Sequence, residues 1–147
     1  MNMQYSRDGL HLTEQGEGCM LTPYPDSGGV WTDGYGNTHG VIPHGPAISQ
    51  AKAEADLVAN IQTAVNTVNR LVTVPLTQHQ FDALVDFTFN AGGGNFASST
   101  MLRLLNARDY AGADAQFVRW DMAGGAHIAG LAHRRAAEAA LFVDEGI

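Results

Sequence analysis

The stretch from residue 20 to 42 cannot form a helix, and this limits the fold of the whole chain. Pro23 and Pro25 each remove a backbone donor and crowd the preceding turn. Ser27-Gly28-Gly29 reads as a turn, and Val30-Trp31-Thr32 has the composition of a strand. Further glycines follow at 34, 36 and 40, so the segment is predicted to be a small, Gly-rich antiparallel sheet.

On both sides of it the periodicity is helical. Ser6 suits an N-cap, Asp8 suits the positive end of a helix and Gly18 suits its stop, which places Glu17 in the last turn of a short first helix. Ile48-Ser49 opens the longest pattern, with Leu57, Ile61, Val65, Val68 and Val72 at three- and four-residue spacing and Pro75 at its end. Thr77-x-x-Gln80 is a capping box for the next helix, which carries Phe81, Leu84, Val85 and Phe89 on one face and is stopped by Gly92-Gly93-Gly94. Ser98-Ser99 begins another short helix. Asp109 precedes an Ala-rich one that holds Phe117 and Trp120 and is broken at Gly124-Gly125. A last helix is expected from about Leu131 to Val143.

This order predicts an α+β fold in one domain, residues 1–147. A small antiparallel β lobe would cover about 19–45, and a mostly helical lobe about 75–147 together with the N-terminal helix. The long helix would join them, with a ligand cleft between. A chain of 147 residues is long enough to fold without staples. Its single cysteine, Cys19, allows no intramolecular disulfide and is expected to be a small buried residue.

A net charge of -7 argues against nucleic-acid binding. Five of the seven arginines lie from Arg103 onward, which suits either a local anionic ligand or a solvated helix face. The polar N-terminus has no apolar core of a signal peptide, and no run approaches a membrane span, so stable membrane insertion is not expected. The six histidines show no ligand spacing, and neither a metal nor a cofactor is expected.

Within this frame Glu17, Asp26 and Thr32 form a candidate catalytic set, with eight residues between the first two and five between the last two. Two carboxylates and a hydroxyl are what the cutting of a glycosidic bond needs: a proton donor, a second carboxylate and a group to hold water. If Ser27-Gly28-Gly29 is a three-residue loop with a glycine in the left-handed region, Asp26 pairs with Val30. Alternation then puts Asp26, Val30 and Thr32 on one face. A carboxyl at a helix C-terminus is the less readily ionised of such a pair, and one in a polar turn the more readily.

These residues also carry a resemblance. Glu17-Gly18-Cys19, Pro25-Asp26-Ser27-Gly28-Gly29 and Trp31-Thr32-Asp33-Gly34-Tyr35-Gly36 look like the catalytic segment of phage-type lysozymes, the endolysins. The likeness continues in Leu76-Thr77-Gln78-His79-Gln80-Phe81, in Phe89-Asn90-Ala91-Gly92 and in His133-Arg134-Arg135-Ala136-Ala137-Glu138, and so covers nearly the whole chain.

The resemblance implies a lysozyme-like fold and hydrolysis of the β-1,4 bond between N-acetylmuramic acid and N-acetylglucosamine in peptidoglycan. It implies Glu17 as general acid, with Asp26 and Thr32 positioning or activating the attacking water. An inverting reaction of this kind needs its carboxyls about 6.5–9.5 Å apart. It further implies Asn90 and Arg134 at or near the substrate, Arg134 orienting Glu17, although a helix-end role suits Asn90 as well. Trp31 and Tyr35 are the candidates for sugar contacts.

It implies a monomer made in the cytoplasm of a bacterial host, acting in the periplasm or cell wall after a holin or similar partner opens the inner membrane. The competing functions are a lytic transglycosylase and an inactive wall-binding protein. Two positions depart from the family: Asp33 stands where isoleucine or valine is usual, and Asn37 where histidine is common. Asp33 is expected to point away from Thr32 into solvent, and Asn37 to be a turn residue.

Overall fold

A computed structural model describes residues 2–145. The described residues divide into two compact units: 2–12 with 63–145, and Thr13–Gln62. The boundary falls inside two helices, α1 (Arg7–Glu17) and α2 (Gln50–Leu71).

The smaller unit is built on a hairpin of β1 (Met20–Pro25) and β2 (Trp31–Gly34), paired antiparallel with Tyr24 opposite Thr32 and Pro25 opposite Trp31. Its turn is the three-residue loop expected: Asp26 N donates to Val30 O at 2.8 Å, Gly29 N donates to Asp26 O at 2.9 Å, and Gly29 has φ +81°. That left-handed residue is what lets a type I turn rejoin the ladder. Beyond β2 the chain turns at Gly34-Tyr35-Gly36, and Asp33 and Asn37 exchange both backbone hydrogen bonds at 2.9 Å. Ile48 N then donates to Leu21 O at 3.0 Å, and Ser49 caps α2 through Lys52 N at 3.0 Å.

The larger unit is helical. Thr77 and Gln80 close the expected capping box on α3 (Gln78–Ala91), both of its bonds being present. Only Gly92 breaks the helix, and Gly93–Ala97 resumes as one turn, α4. The run of three glycines is therefore a stop of one residue. Ser99 caps α5 (Thr100–Asn106), and Asp109 caps α6 (Tyr110–Asp114), which is shorter than expected. Phe117–Arg119 form a 3-10 turn, and Trp120 follows it.

Gly124-Gly125, expected to end a helix, instead makes the two-residue turn of a second hairpin, β3 (Met122–Ala123) with β4 (Ala126–His127). Both glycines have positive φ, as such a turn demands. The last helix, α7, spans Ala129–Val143.

α3 is the axis of this unit. It is buried from Phe81 through Thr88 and packs mainly against α7. Phe87 meets Phe96, Phe117 and Trp120 edge to face at 5.4–6.3 Å, and Phe117 meets Phe142 in the same way at 5.7 Å. Each such pair adds roughly 0.5–1.5 kcal/mol beyond its area burial. The aromatic set thus belongs mostly to the core. Among the described residues no helix is long and apolar enough to cross a membrane.

Candidate active site

Glu17, Asp26 and Thr32 all lie in the smaller unit. Glu17 is the last residue of α1, half-buried, and Gly18 N closes the helix on Glu14 O at 3.0 Å. The Glu17 carboxyl group lies against the backbone of Gly36: a Cβ built there would stand 3.1 Å from Glu17 Oε1. With φ +73° as well, position 36 admits glycine for two separate reasons.

Asp26 sits at the mouth of the hairpin turn. Its Oδ1 accepts from Gly28 N and Val30 N, both at 2.9 Å, so the carboxylate is fixed by the turn it helps to form. Thr32 lies two residues along β2 from Val30 and is only 4% exposed. Its hydroxyl donates to Val30 O at 2.9 Å. The observed register places Asp26, Val30 and Thr32 on one face, in keeping with the loop length.

Asp33 is not the solvated residue expected. It is 3% exposed, and Asn37 Nδ2 donates to its carboxylate at 3.0 Å. Asn37 is more than a turn residue: it also donates to His39 O at 3.0 Å, and its Oδ1 accepts from Asn60 of α2 at 3.0 Å. The reverse face of β2 is covered, so an outward-pointing side chain there meets protein. Cys19, expected to be buried, is exposed, with its Sγ 3.8 Å from Gln50 Oε1.

Tyr35 is 8% exposed, and its hydroxyl is held from both sides. It donates to Glu14 Oε2 at 3.2 Å and accepts from Gln50 Nε2 at 2.8 Å. A buried ring so anchored offers no open face to a sugar. Trp31 is half-buried and stacks edge to face with His44 at 4.6 Å; alternation puts it on the face of β2 opposite Thr32.

Asn90 and Arg134 lie in the larger unit. Arg134 makes a bidentate pair with Asp86, Nε to Oδ2 at 3.0 Å and Nη2 to Oδ1 at 2.8 Å. Asn90 Oδ1, near the end of α3, accepts from Arg135 Nη2 at 2.6 Å. Arg135 in turn stands over the Phe87 ring at 5.0 Å and pairs with Glu138. Its Nε is 2.8 Å from Glu138 Oε1 without being aimed at it, and the aligned hydrogen bond is Nη2 to Oε2 at 3.2 Å.

Sequence reasoning missed this buried cluster. Its signal was Asp86, a charge inside the apolar run Leu84-Val85-Asp86-Phe87. Among the described residues no group of three or more His, Cys, Asp or Glu side chains could hold a metal ion.

Residues 14–138 match the phage lysozyme family. The chain is 42% identical over 144 residues to an endolysin of Acyrthosiphon pisum secondary endosymbiont phage 1, covering 95% of this chain and 98% of that relative. A crystal structure of a P22 lysozyme mutant superposes with a TM-score of 0.89 at 37% identity, covering 97% of this chain and all of the other. The muramidase domain of SpmX from Asticaccaulis excentricus superposes with a TM-score of 0.90 at 35% identity, covering 97% of this chain and 99% of that one.

Proposed function

The chain belongs to the phage lysozyme family, and we propose on that premise that Glu17, Asp26 and Thr32 cut the glycan strands of peptidoglycan. It is an endolysin-type glycoside hydrolase with the fold of the lysozymes. The bond broken is the β-1,4 link between N-acetylmuramic acid and N-acetylglucosamine.

Glu17 protonates the leaving oxygen as general acid. Asp26 takes a proton from water through Oδ2, since Oδ1 already accepts two amides. Thr32 holds the same water. Its proton is directed at Val30 O, which leaves its oxygen to act toward a water only as an acceptor. The carrying observation is the shared face of Asp26 and Thr32 on a hairpin whose three-residue turn fixes both. Water attacks from the side opposite the leaving group, and the anomeric centre inverts.

Asn90 and Arg134 are the candidates for substrate contact from the larger unit, where Arg135 bound at Asn90 and Asp86 bound at Arg134 stiffen the α3–α7 pair. The protein works as a monomer. It is made in the host cytoplasm and reaches the wall when a holin or similar partner opens the inner membrane.

Purified peptidoglycan digested by wild type and by Glu17→Gln tests the assignment. Wild type is expected to release new reducing ends, and the variant to lose at least about a hundredfold in rate. An anhydro sugar product would make the enzyme a lytic transglycosylase, and a Glu17→Gln variant as fast as wild type would remove Glu17 from the chemistry.

A further inference from the structure

Four side chains around the end of α1 form a hydrogen-bonded chain that the proposed chemistry does not use. Cys19 Sγ lies 3.8 Å from Gln50 Oε1, Gln50 Nε2 donates to the Tyr35 hydroxyl at 2.8 Å, and that hydroxyl donates to Glu14 Oε2 at 3.2 Å. The chain links α1, the turn after β2 and the first residue of α2. Glu14 is three residues before Glu17, so the two carboxyls occupy neighbouring positions on the helix surface. The turn Gly34-Tyr35-Gly36 therefore meets α1 twice, through the Tyr35 hydroxyl on Glu14 and through the Gly36 backbone on Glu17.

We propose that Tyr35 is a positioning residue for Glu17: its hydroxyl, bridged between Glu14 and Gln50, seats the turn so that the Gly36 backbone walls one side of the Glu17 carboxyl group. The proposal rests on Glu17 being the general acid.

The bridge needs a neutral hydroxyl, since Tyr35 must accept from Gln50 and donate to Glu14 at once. Burial favours that form, raising the Tyr35 hydroxyl above its ordinary 10.0 against the opposing pull of Gln50. The backbone is shaped to match, with positive φ at Gly34 and Gly36 on either side of the ring. A Gly34 side chain would also stand 3.1 Å from the Cβ of Ala53 on α2, so the turn is seated against two helices. A general acid displaced by a fraction of an ångström loses its line to the leaving oxygen, which is why such a seat matters for rate more than for binding.

Tyr35→Phe removes the hydroxyl and keeps the ring. Its kcat is expected to fall about tenfold, with KM unchanged and the alkaline limb of the kcat–pH profile displaced. Glu14→Gln, which keeps an acceptor for the hydroxyl, should lose less kcat than Glu14→Leu.

Glu17 itself is followed by the 13C resonance of its carboxyl carbon, titrated in wild type and in Tyr35→Phe, a readout independent of turnover. A changed titration with lowered kcat supports the seat. An unchanged titration with wild-type kcat overturns it, as does a kcat loss matched by loss of folded protein at the assay temperature. Activity retained by Glu17→Gln would instead remove the general-acid reading, and the resonance would still report whether Tyr35 positions that carboxyl group.

Discussion

The Thr32 hydroxyl donates to Val30 O, and that one bond decides what the side chain can do for water. Thr32→Val keeps the shape and removes the oxygen. Val30 O still accepts from Asp26 N at 2.8 Å, so no backbone group is stranded, and the loss of stability should stay within about 0.5–1.5 kcal/mol. Activity on peptidoglycan should fall by about a hundredfold or more. Thr32→Ser should recover most of it, and a Thr32→Val enzyme as fast as wild type would show that the hydroxyl holds no reacting water. The pairing of Asp26 with Thr32 was legible in the sequence because it rests on local rules, turn length and strand alternation. The roles of Tyr35 and Asp33 were not. Both depend on α2: Gln50 donates to the Tyr35 hydroxyl, and Asn60 donates to Asn37, which in turn donates to Asp33.

Among the elements, α3 shows how far local signals reach. Its start was readable because a capping box is a short-range device, and its cost is testable. Thr77→Ala removes the acceptor for Gln80 N and should destabilise the protein by about 1 kcal/mol, a fall of about 2–4 °C in Tm. Calorimetry checks this, and an unchanged Tm would mean that the tertiary packing of α3 fixes its first turn unaided. The second hairpin was unreadable for the opposite reason. Met122–Ala123 and Ala126–His127 are strands of two residues each, too short for any alternation to register. The Gly-Gly turn between them carries the same composition as a helix break, and only backbone pairing separates the two.

For the molecule as a whole, the buried and clamped titratable groups of the larger unit bias stability toward acid. Burial raises the Glu138 carboxyl group well above its ordinary value of 4.5, and a hydrogen bond with Asp86 adds to the shift against the pull of Arg135 and Arg134. His79 is raised above 6.5, first by its 3.0 Å hydrogen bond to Asp8, with Asp144 adding to it against burial. In both cases the folded protein holds its proton more tightly than the unfolded chain. The stabilisation from Glu138 is therefore complete below 4.5 and is lost as pH rises through its raised folded value, and that from His79 is complete below 6.5 and is lost above it. Urea unfolding from about pH 4 to pH 8 should show wild-type stability declining as pH rises. Glu138→Gln mimics the neutral carboxyl group and does not titrate, so its stability relative to wild type should climb from the acid end upward. His79→Gln should be weaker than wild type only on the acid side, and by less than about 1 kcal/mol, because Asp8 is largely exposed and screened. Parallel pH curves for all three proteins would show that neither group changes its proton affinity on folding. The Glu138 effect should be the larger, because α3 and α7 close over it completely while the His79 clamp lies near the surface.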